Sequence, residues 1–268
     1  MKCIKSAQFL IFCSLLIFLS GCTGASNEEL KNSIESYLNE NYGLKEKIHI
    51  VSVENNWLEG VDYQVEAKLN KPYSTYLHLT LDRDKIKVIP DDSDDFYLEL
   101  FKGAYIEQHP EIIQLSNKLI KKYTLISDKQ LDEIYKDKFF LYYLNINIEQ
   151  TQEVKLIESF KKNNTVDTNV ILPTLIRSKP KINSGHIGVI NFIYEYDLHG
   201  NKNKVPKAET LVEEFRKSKM LTRGIYNIAV QTVNTKTDSR DESKDSNVLF
   251  SVDDNGTFSI LPTPKEFE

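Results

Sequence analysis

Cysteine is the first scarcity in this 268-residue chain: there are three, Cys3, Cys13 and Cys22, and none follows residue 22. The remaining 246 residues therefore hold no internal disulfide, no Cys-ligated metal and no thiol nucleophile. Glycine and tryptophan are also sparse, at 10 and 1, and no glycine-rich phosphate loop or Gly-x-Ser-x-Gly turn occurs. The five histidines, His49, His78, His109, His186 and His199, lie apart, none with the His-Glu-x-x-His spacing of a zinc hydrolase. His49 and His78 fall on the polar side of predicted strands, facing solvent. Basic charge is in deficit, with 34 Lys and Arg against 39 Asp and Glu, which makes nucleic acid and bare anionic lipid poor partners.

Long hydrophobic runs are confined to the N-terminus. Lys2 and Lys5 precede an apolar stretch from Phe9 to Leu19, the length of a secretory signal core and too short to span a bilayer. Leu19-Ser20-Gly21-Cys22 ends it, with small residues directly before a thiol. This resembles the lipobox of bacterial lipoproteins. The resemblance implies a signal peptide over 1–21, cleavage after Gly21, and a diacylglycerol on the sulfur of Cys22, whose new amino group is open to further acylation. Two acyl chains give the stable anchoring that one does not. The alternatives are an ordinary signal peptide that contains a cysteine, or an uncleaved N-terminal anchor. Loss of Lys2 and Lys5 with the signal leaves 32 basic against 39 acidic residues, a net charge of −7.

Residues 22–26 read as a lipidated tether, and a helix is expected over 27–42. Ser26 and Glu29 have capping-box spacing, Leu30, Ile34, Tyr37 and Leu38 make its apolar stripe, and Gly43 ends it. Four strands follow: His49 with Ile48, Ile50 and Val53; Val61 to Leu69; Leu77 to Leu81; and Ile86 to Ile89. Trp57 with Gly60, and Lys71 with Pro72, occupy turns. The acidic turn Asp91, Asp92, Asp94 and Asp95 invites a calcium reading, but Phe96 and Lys102 stand where an EF-hand needs Gly and Glu. Its charges suit a helix N-terminus instead.

Helices are expected over Phe96–Gln108, from Pro110 onward with Ile112, Ile113, Leu119, Ile120 and Tyr123 on one face, and over Asp128–Tyr135. Phe139 to Ile148 reads as a long central strand. Helices over Val154–Phe160 and Asn169–Ile176, the second ended by Pro180, precede a strand at Ile187–Tyr196. A helix at Ala208–Lys219, a strand at Ile225–Val233 and a charged connector over 235–247 follow. Last comes a hairpin, Val248–Val252 with Phe258–Leu261, turning through Asp254, Asn255 and Gly256. The fold class is α+β, with antiparallel sheets packed on amphipathic helices. The organisation is either two lobes, 27–127 and 128–268, or one continuous domain.

The lipobox, the early helix ending in Tyr42, Phe101-Lys102-Gly103-Ala104-Tyr105 and Gly224-Ile225-Tyr226 together resemble an uncharacterised lipoprotein family, a domain of unknown function, from Bacillus and Staphylococcus relatives. That resemblance covers nearly all of residues 22–268 and implies no activity. The expectation is a binding or interaction domain, lipid-anchored on the outer face of the cell membrane through Cys22, with a membrane-proximal protein or envelope component as partner. No catalytic residue, cofactor or metal ligand is signalled. The alternatives are a cell-envelope hydrolase using a carboxylate pair, to which Glu213 and Glu214 lend weak support, and a structural or assembly factor.

Overall fold

A computed structural model describes residues 24–54, 61–90, 96–127, 141–178, 186–199, 201, 203–237 and 239–263. The expected signal, Cys22, Trp57, Gly60, the expected acidic turn 91–95, the expected helix 128–135, Phe139, Phe140 and Pro180 lie outside them.

The first helix, α1 (Asn27–Tyr42), forms where its caps dictate. Ser26 Oγ accepts the Glu29 N–H and the Glu29 carboxylate accepts the Ser26 N–H, while Gly43 closes the other end at φ 71°. Leu30, Ile34, Leu38 and Tyr42 recur at four-residue intervals and are all buried. They cover a three-stranded antiparallel sheet of β1 (Ile48–Glu54), β2 (Tyr63–Leu69) and β3 (Thr75–Leu81), ordered β1-β2-β3. Strict alternation puts Tyr63, Val65, Ala67 and Leu69 under the helix and Gln64, Glu66 and Lys68 outward.

The fourth expected strand, 86–89, is reduced to one bridge between Leu81 and Val88. The cause is local. The Asp82 carboxylate accepts the N–H groups of Asp84 and Lys85 at 3.0 and 2.7 Å, winding residues 82–86 into a tight turn.

Next come α2 (Phe96–Gln108) and α3 (Pro110–Tyr123). They separate at His109, since the residue before proline is disfavoured in helical geometry. Instead of one apolar side, α2 buries eight residues around its circumference, Lys102 and Gly103 among them. It lies against β3 of the first sheet and against the strand Leu144–Ile146 of a second sheet, which is why a one-sided pattern fails there.

The second sheet has the order β4-β5-β6-β8-β9, with β7 (Ser239–Arg240) beside β6. Its strands are β4 (Leu144–Ile146), β5 (Ile190–Asp197), β6 (Gly224–Asn234), β8 (Ser246–Val252) and β9 (Phe258–Ile260). The fold is α+β as expected, with a wholly antiparallel first sheet and a mixed second one, in which β5 and β6 are parallel. A parallel pair needs a long crossover. Here it carries α6 (Ala208–Ser218), whose Phe215 ring packs 4.9 Å from that of Phe192. Of the long central strand expected over 139–148, the described residues keep only the three of β4, at the end of the sheet order. Leu141 at φ 51° and a turn bond from the Leu144 N–H to its carbonyl come immediately before β4.

Between β4 and β5 run α4 (Gln150–Asn163) and α5 (Thr168–Ile171). The helix expected to reach Ile176 tightens into a 3-10 turn at Leu172–Thr174, where Pro173 removes a donor. The closing hairpin forms as expected, with Gly256 at φ 75°.

One core cluster contains residues from both sides of Ser127. Polar contacts cross that point as well: Ser116 Oγ lies 2.9 Å from the Tyr194 hydroxyl, and the Ile126 N–H donates to the Glu195 carbonyl.

Candidate functional site

The chain enters the fold earlier than a free tether over 22–26 allows. The Ala25 N–H donates to the Tyr63 hydroxyl at 2.7 Å, and Ser26 is already a helix cap. Between Cys22 and the first fixed residue stand only Thr23 and Gly24, so the two Cα atoms lie within about 11 Å. The bond partner is 38 residues away in sequence and leaves no local signal. Cys22 itself precedes the described residues.

The outer face of the first sheet carries a cleft of about 180 Å³ lined by Ser52, Glu54, Gln64, Glu66 and His78. Cross-strand register assembles it: Ser52 faces Glu66, and Glu66 faces His78. Glu66 Oε2 accepts from Ser52 Oγ at 2.8 Å and its Oε1 lies 3.7 Å from His78 Nδ1. Both Glu66 oxygens are thus engaged. Beside the cleft, Lys68 Nζ sits 5.2 Å over the Tyr76 ring. Such a face offers donors, acceptors and one aromatic edge to a polar ligand. A second groove, about 350 Å³, runs between α1 and the 85–88 segment, with Glu40, Lys85 and Lys87 in its lining.

His49, His78 and His199 are exposed. His109 is buried, and Thr168 holds it. The Thr168 hydroxyl donates to Gln108 Oε1 at 2.7 Å, so His109 Nε2 donates to Thr168 Oγ1 at 3.1 Å. Gln108 also donates to the Val166 carbonyl and accepts the Thr168 N–H. Glu111 Oε1 lies 3.7 Å from Nδ1. A threonine, a histidine and a carboxylate in line have the outline of a nucleophile set. Thr168 is wholly buried, however, and its proton is committed to Gln108. The set is a clasp between the end of α2 and the start of α5. Spacing in sequence could not show it, because 59 residues separate the two partners.

Burial holds His109 below its ordinary 6.5, partly offset by Glu111, and burial followed by the Lys102 ammonium does the same to His186. With the folded pKa depressed, the unfolded chain takes up the proton first. Stability from each histidine is therefore complete above pH 6.5 and lost as pH falls through the folded pKa, by at most about 1.4 kcal/mol per pH unit. His109→Gln should remove one proton's worth of that slope. Melting temperatures of both proteins between pH 7.5 and 5 check it, and parallel curves would exclude His109 as the source.

Glu213 and Glu214, the two carboxylates that the sequence offered as a pair, are each held by a cation. Glu213 pairs with Arg216 at 2.6 Å, and Glu214 takes Lys122 at 2.8 Å, joining α6 to α3. Burial raises Glu195, an effect Arg240 opposes. Two residues along the same strand face, Asp197 spends both oxygens on His199 N–H and Thr235. No group of three or more His, Cys, Asp or Glu able to hold a metal occurs among the described residues. No helix there is long and apolar enough to cross a membrane.

No family model matches the chain, and no curated protein or solved structure matches it either.

Proposed function

We propose that this protein is a lipid-anchored binding domain on the outer face of the cell membrane, attached through Cys22, whose contact surface is the polar outer face of the first sheet. The Leu19-Ser20-Gly21-Cys22 sequence after its apolar run carries the reading. The bond from Ala25 to Tyr63 supports it, because a domain fastened three residues after the lipid stays at the membrane. A membrane-proximal protein or envelope component is the partner that such a short reach serves. The carboxylate-pair alternative has less behind it, since Glu66, Asp197, Glu213 and Glu214 are all engaged in structural bonds.

Cys22→Ala tests the anchor. Two acyl chains bind membranes far more tightly than the bare polypeptide, so detergent-phase partitioning should fall by at least about tenfold, with loss of metabolic acyl label. Retention of the label in the variant would sink the reading.

A further inference from the structure

We propose that the anchored domain stands on one defined end of its first sheet, the end formed by Val61, Tyr63, Leu81 and Arg83, with a lipid bilayer surface as its occupant. This deepens the reading of Cys22 as the lipid attachment point and rests on it.

Three observations place that end against the membrane. First, Ala25 is fixed to Tyr63, so a lipid on Cys22 lies within about 11 Å of Ala25. Second, the neighbours of Tyr63, itself buried like Leu81, mark the same end of the sheet. Leu81 faces Tyr63 in register, and the Arg83 N–H donates to Asp62 Oδ1 at 3.0 Å, drawing the 82–86 turn to the same end. Third, this end exposes apolar side chains, Val61 at 43% and Ile89 at 36%. Ile89 belongs here because its N–H donates to the Thr80 carbonyl.

The opposite end of the sheet is occupied by the rest of the protein. Gly103 of α2 approaches Ser74 and Thr75, and the Tyr73 hydroxyl bonds both the N–H and the carbonyl of Val166. Seven residues of β2 separate the ends, about 20 Å at the rise of a strand. The first sheet is therefore a spacer: its Tyr63 end meets the bilayer, and its Leu69 end carries the second sheet. The net charge of −7 gives the bilayer no general electrostatic pull on the domain. The covalent anchor and the Tyr63 bond set the orientation.

The experiment places a fluorophore, through a clickable amino acid, at Arg83 or at Lys71 on the far end of the sheet. The protein is bound to phosphatidylcholine vesicles carrying a nitroxide on the headgroup. In one arm it carries its cell-made acyl chains. In the other, unacylated Cys22 is coupled through its thiol to a maleimide-bearing lipid, so the orientation is decided whether or not the cell acylates that residue. The expected result is strong quenching at Arg83 and unchanged emission at Lys71. Equal quenching, or quenching at Lys71 alone, in the coupled arm overturns the orientation while leaving the lipidation reading to its own test. Tyr63→Phe keeps the buried ring but removes the acceptor for Ala25, and it should reduce quenching at Arg83. Unaltered quenching in that variant would show that the Tyr63 hydroxyl does not set the orientation.

Discussion

Phe101→Ala should destabilise the protein by about 3–5 kcal/mol and melt both sheets in one transition. Phe101 is wholly buried at the middle of α2, the helix that lies against β3 on one side and β4 on the other. Truncation leaves a cavity that neither sheet can fill without moving the other, because both are already packed on the same helix. For a chain of this size the loss corresponds to a drop in melting temperature of roughly 10 °C. Circular dichroism combined with hydrogen exchange at β2 and β6 distinguishes one transition from two. If β6 keeps its protection while β2 loses it, the helix does not couple the sheets.

Gly188→Ala is expected to cost about 3 kcal/mol or more through a different cause, overpacking against backbone. A Cβ there would lie 2.6 Å from the Asn227 N atom, 2.8 Å from the Tyr226 carbonyl carbon and 2.9 Å from the Ile190 carbonyl oxygen. None of these is the end of a side chain that could swing away. Relief requires β5 and β6 to part at the start of their parallel pairing, where the Asn191 amide also holds both backbone groups of Gly188. Gly256→Ala is the control. Gly256 has φ 75° and nothing near its Cβ, so its cost is only that of the left-handed backbone, about 1 kcal/mol. Denaturant midpoints for the two variants should differ clearly, and equal midpoints would mean that β5 and β6 give way cheaply.

Helix α1 and the first sheet were legible because they have one wet face and one dry face, as α2, buried around its circumference, does not. Leu30, Ile34 and Leu38 write the helix period, and Tyr63, Val65, Ala67 and Leu69 write the strand period, so faces and boundaries could both be read. In the second sheet Ile190 to Tyr194 are buried on both sides. With no alternation to read, the direction of pairing with β6 had no sequence signature. Asn145, Asn191 and Asn227 form one row across β4, β5 and β6, yet singly each looks like a loop residue. The lipobox resemblance could be read because its four residues are contiguous. The way Ala25 is fastened, and the clasp of His109 by Thr168, could not, since each joins residues that only the finished fold brings together.

The outer strands of the second sheet, β4 and β9, are three residues long beside neighbours of eight and seven. An exposed strand edge of full length can add a strand from another copy of the chain. A three-residue border presents too few free donors and acceptors to template such growth. The inner strands of this sheet can thus be as apolar as the core demands without a long free edge at either border.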